Sequence, residues 1–146
     1  MSHISGKETT YDKITVIEEH VHKPSQVYPT LAAGIQVEAT TGVGAWTLGA
    51  LVEIVPVDTI TLGFDIHHVC IEALSANSVY ELVLYSGAGD TEIGRVRVVK
   101  NANLDGTMNI PIQTPIVAAN SRIRAAIATP ADDGETMDIS LFYHTY

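Results

Sequence analysis

The sequence contains a single cysteine and is short of charged residues. Cys70 cannot form a disulfide within the chain, so oxidation does not hold this fold together, and synthesis in a reducing cytoplasm is expected. Only 17% of the 146 residues are charged, against roughly 25% in an average soluble domain. This low charge content predicts that part of the surface is covered by another subunit or by a partner protein.

Long apolar runs and basic clusters are also missing. The apolar segments are far too short to span a bilayer, and the polar start MSHISGKETTYDK lacks the features of a signal peptide, so we expect no membrane partner. Seventeen acidic and eight basic residues give a formal charge of -9. Phosphate backbones repel such a chain, so nucleic acid is not an expected partner either.

Helical periodicity is absent, and strand periodicity takes its place. No window shows a sustained 3.6-residue apolar repeat with capping signals, so almost no helix is predicted apart from a turn near Tyr28 to Ala33. Segments such as VYELVLY, RIRAAIA and MDISLFYH alternate apolar and polar residues between turn signals. About eight or nine strands at this spacing predict an all-β fold, an antiparallel, jelly-roll-like β-sandwich from about Ile35 to Tyr146.

The beginning of the chain differs from the rest. Its one short strand candidate, ITVIEE, lies between polar stretches that contain prolines. We therefore divide the chain into an extended N-terminal arm, residues 1–33, and a sandwich domain, residues 34–146. The arm alone buries too little apolar area to offset its ordering, so we expect it to pack on a neighbour. Deleting residues 1–29 is expected to leave the sandwich folded and to weaken assembly.

The segment FDIHHVCIEAL sets two adjacent histidines ahead of the cysteine, a combination used by metal sites and nucleophilic enzymes. In a regular strand His67 shares a face with Asp65, and His68 shares the opposite face with Ile66 and Cys70, so the two imidazoles cannot bind one ion together. Burial of the thiol would raise its pKa and make it inert. We interpret both histidines as core or interface residues and expect no catalytic residue, no cofactor and no stoichiometric transition metal.

Two other segments carry features of ion sites. His20 and His22 have the spacing of a cupin-like metal pair, but no Glu follows at the usual short distance. Asn101 to Gly106 resembles the opening of a calcium loop without its final Glu, and a hairpin loop explains the same residues. A small jelly-roll metalloenzyme is kept as an alternative, with ligands drawn from His20, His22 and either His68 or His144.

Trp46 is the only tryptophan, and every arginine belongs to one of two Arg-x-Arg pairs. A sugar-binding face would normally expose more than one flat aromatic side chain, so core or interface packing is favoured for Trp46. Each arginine pair lies on one strand face, either balanced across strands by Glu81 or Asp138 or held in a subunit contact. The expected interface comprises Ile14, Val16, Ile17, His20, His22, Tyr28, Trp46, Arg95, Arg97, Arg122 and Arg124.

The strands from Phe64 to Tyr146, including FDIHHVCIEAL, VYELVLYSG, EIGRVRVVK, IPIQTPIV, SRIRAAIA and YHTY, resemble small β-sandwich virion proteins of tailed bacteriophages. The resemblance implies a non-catalytic head decoration or capsid-stabilising protein, a symmetric oligomer on the capsid exterior. We therefore expect a homo-oligomer, a trimer, that is made in the host cytoplasm and binds a capsid or other virion protein. A carbohydrate-binding, lectin-like sandwich is the alternative from another class.

Overall fold

The computed structural model describes residues 24–32, 34–103, 106–130 and 134–146. These residues contain strands and turns but no helix, which confirms the all-β prediction; nothing among them could cross a bilayer as a helix. In place of the predicted turn, Tyr28 ends a strand and bends follow it. The strands are β1 (Gln26–Tyr28), β2 (Val37–Thr40), β3 (Val52–Val55), β4 (Phe64–Glu72), β5 (Ser78–Ser86), β6 (Thr91–Lys100), β7 (Met108–Pro111), β8 (Ile123–Ala128) and β9 (Thr136–Thr145).

Two antiparallel sheets form the sandwich. In sheet A, β9 pairs with β4 on one side and with β1 and β2 on the other, and β7 lies beyond β4. Sheet B has the order β3, β8, β5, β6. From β2 onward the chain crosses between the sheets at every connection except the β5–β6 hairpin, and this alternation is typical of a jelly roll.

Strands β1 and β2 follow one another along the same edge of β9. Gln26–Tyr28 pair with residues 141–143, and Val37–Thr40 pair with residues 136–139. They form one edge strand interrupted by residues 29–36. Gln26–Tyr28 fall within the predicted arm but pair with their own chain, and Tyr28 packs against the core. The rest of the arm, residues 1–23, lies outside the described residues.

The core fills the space between the inner faces of the two sheets. Alternate residues of the central strands enter it, as the period-two pattern predicts. Burying one Ile or Leu side chain stabilises the fold by about 1.5–3 kcal/mol. Tyr80 is fully buried, and its hydroxyl donates to the carbonyl of Ala76 at 2.9 Å, so the ring packs without leaving a polar group unsatisfied. The largest fully buried aliphatic side chains include Ile54, Ile66, Ile71, Leu82, Leu84, Ile123, Ile127, Ile139 and Leu141.

Strand β4 departs from regular alternation. Its pairing with β9 shifts register between Ile66 and His68, which marks a β-bulge. Core residues before and after the shift are Phe64, Ile66, Val69 and Ile71. The face assignment predicted for FDIHHVCIEAL is therefore wrong, because Ile66 points into the core whereas His68 points away from it. His67 and His68 both lie on the outer face of sheet A.

A pair of isoleucine variants tests the core. Ile71 is fully buried and Ile116 is 63% exposed. Ile71→Ala should lower the free energy of unfolding by about 2–5 kcal/mol, since it leaves a cavity between the sheets, whereas Ile116→Ala should change it by less than about 0.5 kcal/mol. Urea denaturation followed by far-ultraviolet circular dichroism measures both. Equal losses would contradict the placement of Ile71 in the core.

Candidate functional site

Sheet B carries both arginine pairs on either side of β5, one on β6 and one at the start of β8, where Arg122 immediately precedes the strand and Arg124 lies within it. Glu81 of β5 lies directly across from Arg97, and Arg95 lies two residues away from Arg97 along β6. Both guanidinium groups donate to its carboxylate, Arg97 at 3.2 Å. Burial alone would raise the pKa of Glu81, but these hydrogen bonds and positive charges lower it below its ordinary value. The prediction that Glu81 balances the charge of an arginine pair across strands is therefore confirmed.

The second pair has a different partner from the predicted Asp138. Arg124 donates to both carboxylate oxygens of Asp90, and Arg122 Nη2 lies 3.6 Å from the same carboxylate. Hydrogen bonding from Arg124 lowers the pKa of Asp90, against the opposing effect of desolvation. Asp90 ends the β5–β6 turn, whereas Asp138 belongs to β9 in the other sheet. The alternative prediction, that Asp138 balances an arginine pair, was wrong because strand order cannot be read from local alternation.

Trp46 borders a hollow on this outer face. Its backbone N–H donates to the carbonyl of Thr129 at 2.7 Å, and its positive φ of 58° turns the side chain outward. The guanidinium carbon of Arg97 lies 4.6 Å from the centre of the indole ring, within cation–π range. Trp46 is 43% exposed and is not a core residue. The hollow, of about 260 Å³, is lined by Trp46, Leu48, Glu81, Arg95, Arg97 and Ala128.

Within the described strands, the outer face of sheet A carries acidic side chains without the basic partners found on sheet B. Asp138 of β9 lies directly across from Glu38 of β2 on one side and from Glu72 of β4 on the other. Like charges at directly opposed positions destabilise a sheet. The strands of sheet A contain four acidic residues and no Lys or Arg. We call Glu38, Asp138 and Glu72 the acidic row.

One corner of the same outer face gathers groups able to bind a metal. Asp65 lies directly across from His144 of β9, and His67 follows two residues along β4. His67 Nε2 donates to Asp65 Oδ1 at 2.8 Å, His144 Nδ1 lies 4.0 Å from that oxygen, and Tyr146 Oη donates to Asp65 Oδ2 at 2.9 Å. The hydrogen bond to Asp65 raises the pKa of Tyr146. We call Asp65, His67 and His144 the histidine corner.

The other predicted chemical groups do not join this corner. Cys70 is buried, and desolvation followed by the nearby charge of Glu72 raises the pKa of its thiol, the direction expected for a cysteine inside an apolar strand. His68 is exposed and packs edge-on against Phe142. Five predicted residues lie in the part of the chain that the structure does not describe: Ile14, Val16, Ile17, His20 and His22.

The loop compared with a calcium site is a connection between the two sheets, since β6 belongs to sheet B and β7 to sheet A. The predicted hairpin is therefore wrong there. The backbone N–H of Asn103 donates to Asn101 Oδ1 at 2.9 Å, as in an Asx turn. This turn accounts for the Asn-x-Asn spacing without an ion.

No protein-family model and no curated protein sequence matches this chain. Similar solved structures include VP2 of infectious bursal disease virus, at 16% identity and a TM-score of 0.45, covering 86% of this chain and 34% of VP2. A family 43 arabinoxylan arabinofuranohydrolase from Bacillus subtilis has 9% identity and a TM-score of 0.42, with 83% and 24% covered. A β-1,3-glucan binding module of family 6 from Bacillus halodurans has 10% identity and a TM-score of 0.38, with 86% and 87% covered. This chain thus spans about a third of VP2 and a quarter of the hydrolase. No functional argument follows from similarities at this level.

The arginine contacts of Glu81 predict that folding stability depends on pH, and that Glu81→Gln removes this contribution. Because the folded pKa of Glu81 is lowered, its contribution to stability is fully present above the unfolded pKa of about 4.3 and is lost as the pH falls through the lower folded value. The side chains of Arg95 and Arg97 are 51% and 62% exposed, so the loss at pH 7 should not exceed about 1 kcal/mol.

Unfolding by urea at pH 7, 5 and 3 measures this difference. The gap between the parent protein and Glu81→Gln should be constant from pH 7 to about 5 and should shrink toward pH 3. Glu38→Gln is the matched control, because its neighbour across the strand is a carboxylate, and it should not lower stability at pH 7. A gap that widens on acidification would refute the assignment.

Proposed function

We propose that this protein is a non-catalytic structural protein of a phage virion, which assembles as a homotrimer and decorates or stabilises the exterior of the capsid. One observation carries the proposal: the two outer faces of the sandwich differ in charge. The acidic row lies on sheet A, whereas three of the four arginines lie on strands of sheet B and Arg122 immediately precedes β8 of that sheet. A subunit with unlike opposite faces is suited to contacts with copies of itself.

The charge difference favours a head-to-tail contact. In a heterologous interface one surface of a subunit meets a different surface of the next, and the contact generates a closed ring if the rotation closes. Placing the acidic row against Arg95 and Arg97 of a neighbour would relieve the repulsion among Glu38, Asp138 and Glu72. Complementary charge of this kind fixes register and speeds association more than it adds affinity.

A small apolar patch supports a contact with a second surface, that of the shell. Gly63 accepts a hydrogen bond from the backbone N–H of Tyr146 at 2.9 Å, and a side chain at Gly63 would contact Ile116 at 3.7 Å. Ile116, Tyr146 and the adjacent Leu62 are all exposed. Exposed apolar groups that cluster mark contact sites more often than single ones do. We call Leu62, Ile116 and Tyr146 the apolar patch.

Light scattering of the purified protein is expected to give three times the chain mass of 15.7 kDa. Raising the salt concentration to 1 M, where the Debye length is about 3 Å, should shift the protein toward smaller species, because the proposed contact is electrostatic. Asp138→Asn should have the same effect, since it removes the centre of the acidic row.

The stability of each variant separates assembly from folding. Within one chain Asp138→Asn relieves like-charge repulsion, so the free energy of unfolding measured at low protein concentration should not fall. Asp58→Asn is the control: Asp58 is exposed in the β3–β4 connection and its replacement changes the net charge equally. A monomer at micromolar concentration, or equal effects of the two variants, would contradict the proposed contact.

Adding the full-length protein to capsid shells assembled without it is expected to give saturable binding, measured by co-sedimentation. Ile116→Ser should weaken binding while leaving the trimer intact, because Ile116 belongs to neither the acidic row nor the arginine pairs. Deleting residues 1–23 retains β1 and tests the arm; it should also weaken attachment. If neither the full-length protein nor the variant lacking residues 1–23 binds the shells, the virion assignment is wrong and the oligomer has another function.

Carbohydrate binding is the second candidate, and the exposed indole of Trp46 beside Glu81 and two arginines is the observation that favours it. Arg97 lies over the ring face on which a sugar would stack. Because Trp46 is the only tryptophan, its fluorescence reports any occupant of the hollow. Saturable emission changes with an oligosaccharide, together with calorimetric binding that is lost in Trp46→Phe, would favour this candidate over a structural protein.

A further inference from the structure

The histidine corner is built by strand pairing, and it has the composition of a metal site. The register of β4 and β9 sets His144 across from Asp65, and the two-residue strand repeat brings His67 to the same face. Two imidazoles and one carboxylate supply the three protein ligands that an open zinc site uses. From the sequence, His144 was considered only as a ligand together with His20 and His22, and was not grouped with Asp65 and His67.

The distances suit a single small ion. The three candidate ligand atoms all lie within 4.8 Å of one another. A tetrahedral zinc ion with bonds of about 2.0–2.1 Å sets its ligand atoms roughly 3.4 Å apart. The observed separations from Asp65 Oδ1, 2.8 Å to His67 Nε2 and 4.0 Å to His144 Nδ1, lie on either side of that value.

The electrostatics of the corner also favour a cation. Asp65 is 3% exposed, and the ion pairs described for it involve only histidines. A buried carboxylate is costly unless a positive charge or a set of hydrogen bonds compensates it. Here His67 and Tyr146 supply hydrogen bonds to Asp65, and a bound cation would add the positive charge.

The surroundings supply the remaining parts of such a site. Tyr146 donates to the second oxygen of Asp65 and so fixes the carboxylate, as residues around metal ligands commonly do. The ring of Tyr146 also packs edge-on against His144, with ring centres 4.9 Å apart. His67 is a third exposed and borders an open hollow of about 370 Å³, so this ligand is accessible from solvent.

We propose that Asp65, His67 and His144 form a binding site for one divalent transition metal ion, zinc by preference, with water as the fourth ligand. Imidazole ligands select zinc and its neighbours in the first transition row over calcium and magnesium. The ion would join β4 to β9 across the centre of sheet A, so its role is to stabilise the sandwich. Metal binding does not rest on the proposed capsid function, although Tyr146 belongs both to the apolar patch and to the surroundings of this site.

Full-length protein without an affinity tag is treated with a chelator and then dialysed against zinc. It is expected to retain one zinc ion per chain, as measured by inductively coupled plasma mass spectrometry. Cobalt should give the visible absorption of a tetrahedral complex, and zinc should raise the melting temperature. His67→Gln is the main variant, because a partly exposed side chain can change without loss of the fold; it should weaken zinc binding at least tenfold. Tyr146→Phe should weaken it less while the stoichiometry stays at one.

Two controls assign the ion to this corner. His68→Ala removes an exposed imidazole next to His67 and should leave zinc affinity unchanged. The double variant His20→Ala with His22→Ala should also bind one zinc, whereas loss of binding there would assign the metal to the arm and overturn the proposal. Absence of retained zinc with no rise in melting temperature, or equal affinity of His67→Gln and the parent protein, would also overturn it.

Discussion

The pairing of β9 on both of its sides is the constraint on which the rest of the structure depends. Through β4 on one side and β1 with β2 on the other, it holds the last strand of the chain at the centre of sheet A. The same ladder sets Asp138 between Glu38 and Glu72, and His144 beside Asp65. One set of backbone hydrogen bonds thus creates both the acidic row and the histidine corner.

The architecture could be predicted because each strand carries its own signal. Apolar and polar residues alternate in segments such as RIRAAIA, and this local pattern is enough to indicate a sandwich of short strands. β1 was missed because three residues preceded and followed by prolines carry almost no periodic signal. The bulge in β4 was missed for a related reason, since strict alternation assumes that no residue is inserted.

The sites were harder to predict than the fold because they depend on which strands are neighbours. The contact of Glu81 with its arginines joins strands linked by one hairpin, so a local argument found it. Asp90 with Arg124, and Asp65 with His144, join residues far apart in the sequence, and only the strand order brings them together. The Asp-x-His spacing of residues 65–67 can be read from the sequence, but the position of His144 beside them cannot.

The edges of the two sheets differ in the ladder that they can offer to another chain. β3 and β7 have four residues each, β7 ends at Pro111, which has no N–H to donate, and residues 29–36 divide the edge formed by β1 and β2. Among the described edge strands β6 is the longest, with ten residues, although its pairing with β5 shifts register between Gly94 and Glu92. Arg95 and Arg97 lie on β6 itself and add positive charge, which discourages indiscriminate pairing of identical edges. A strand donated by another molecule would therefore find its longest ladder beside β6, and fibre growth through sheet A is blocked by the shortness of both its edges.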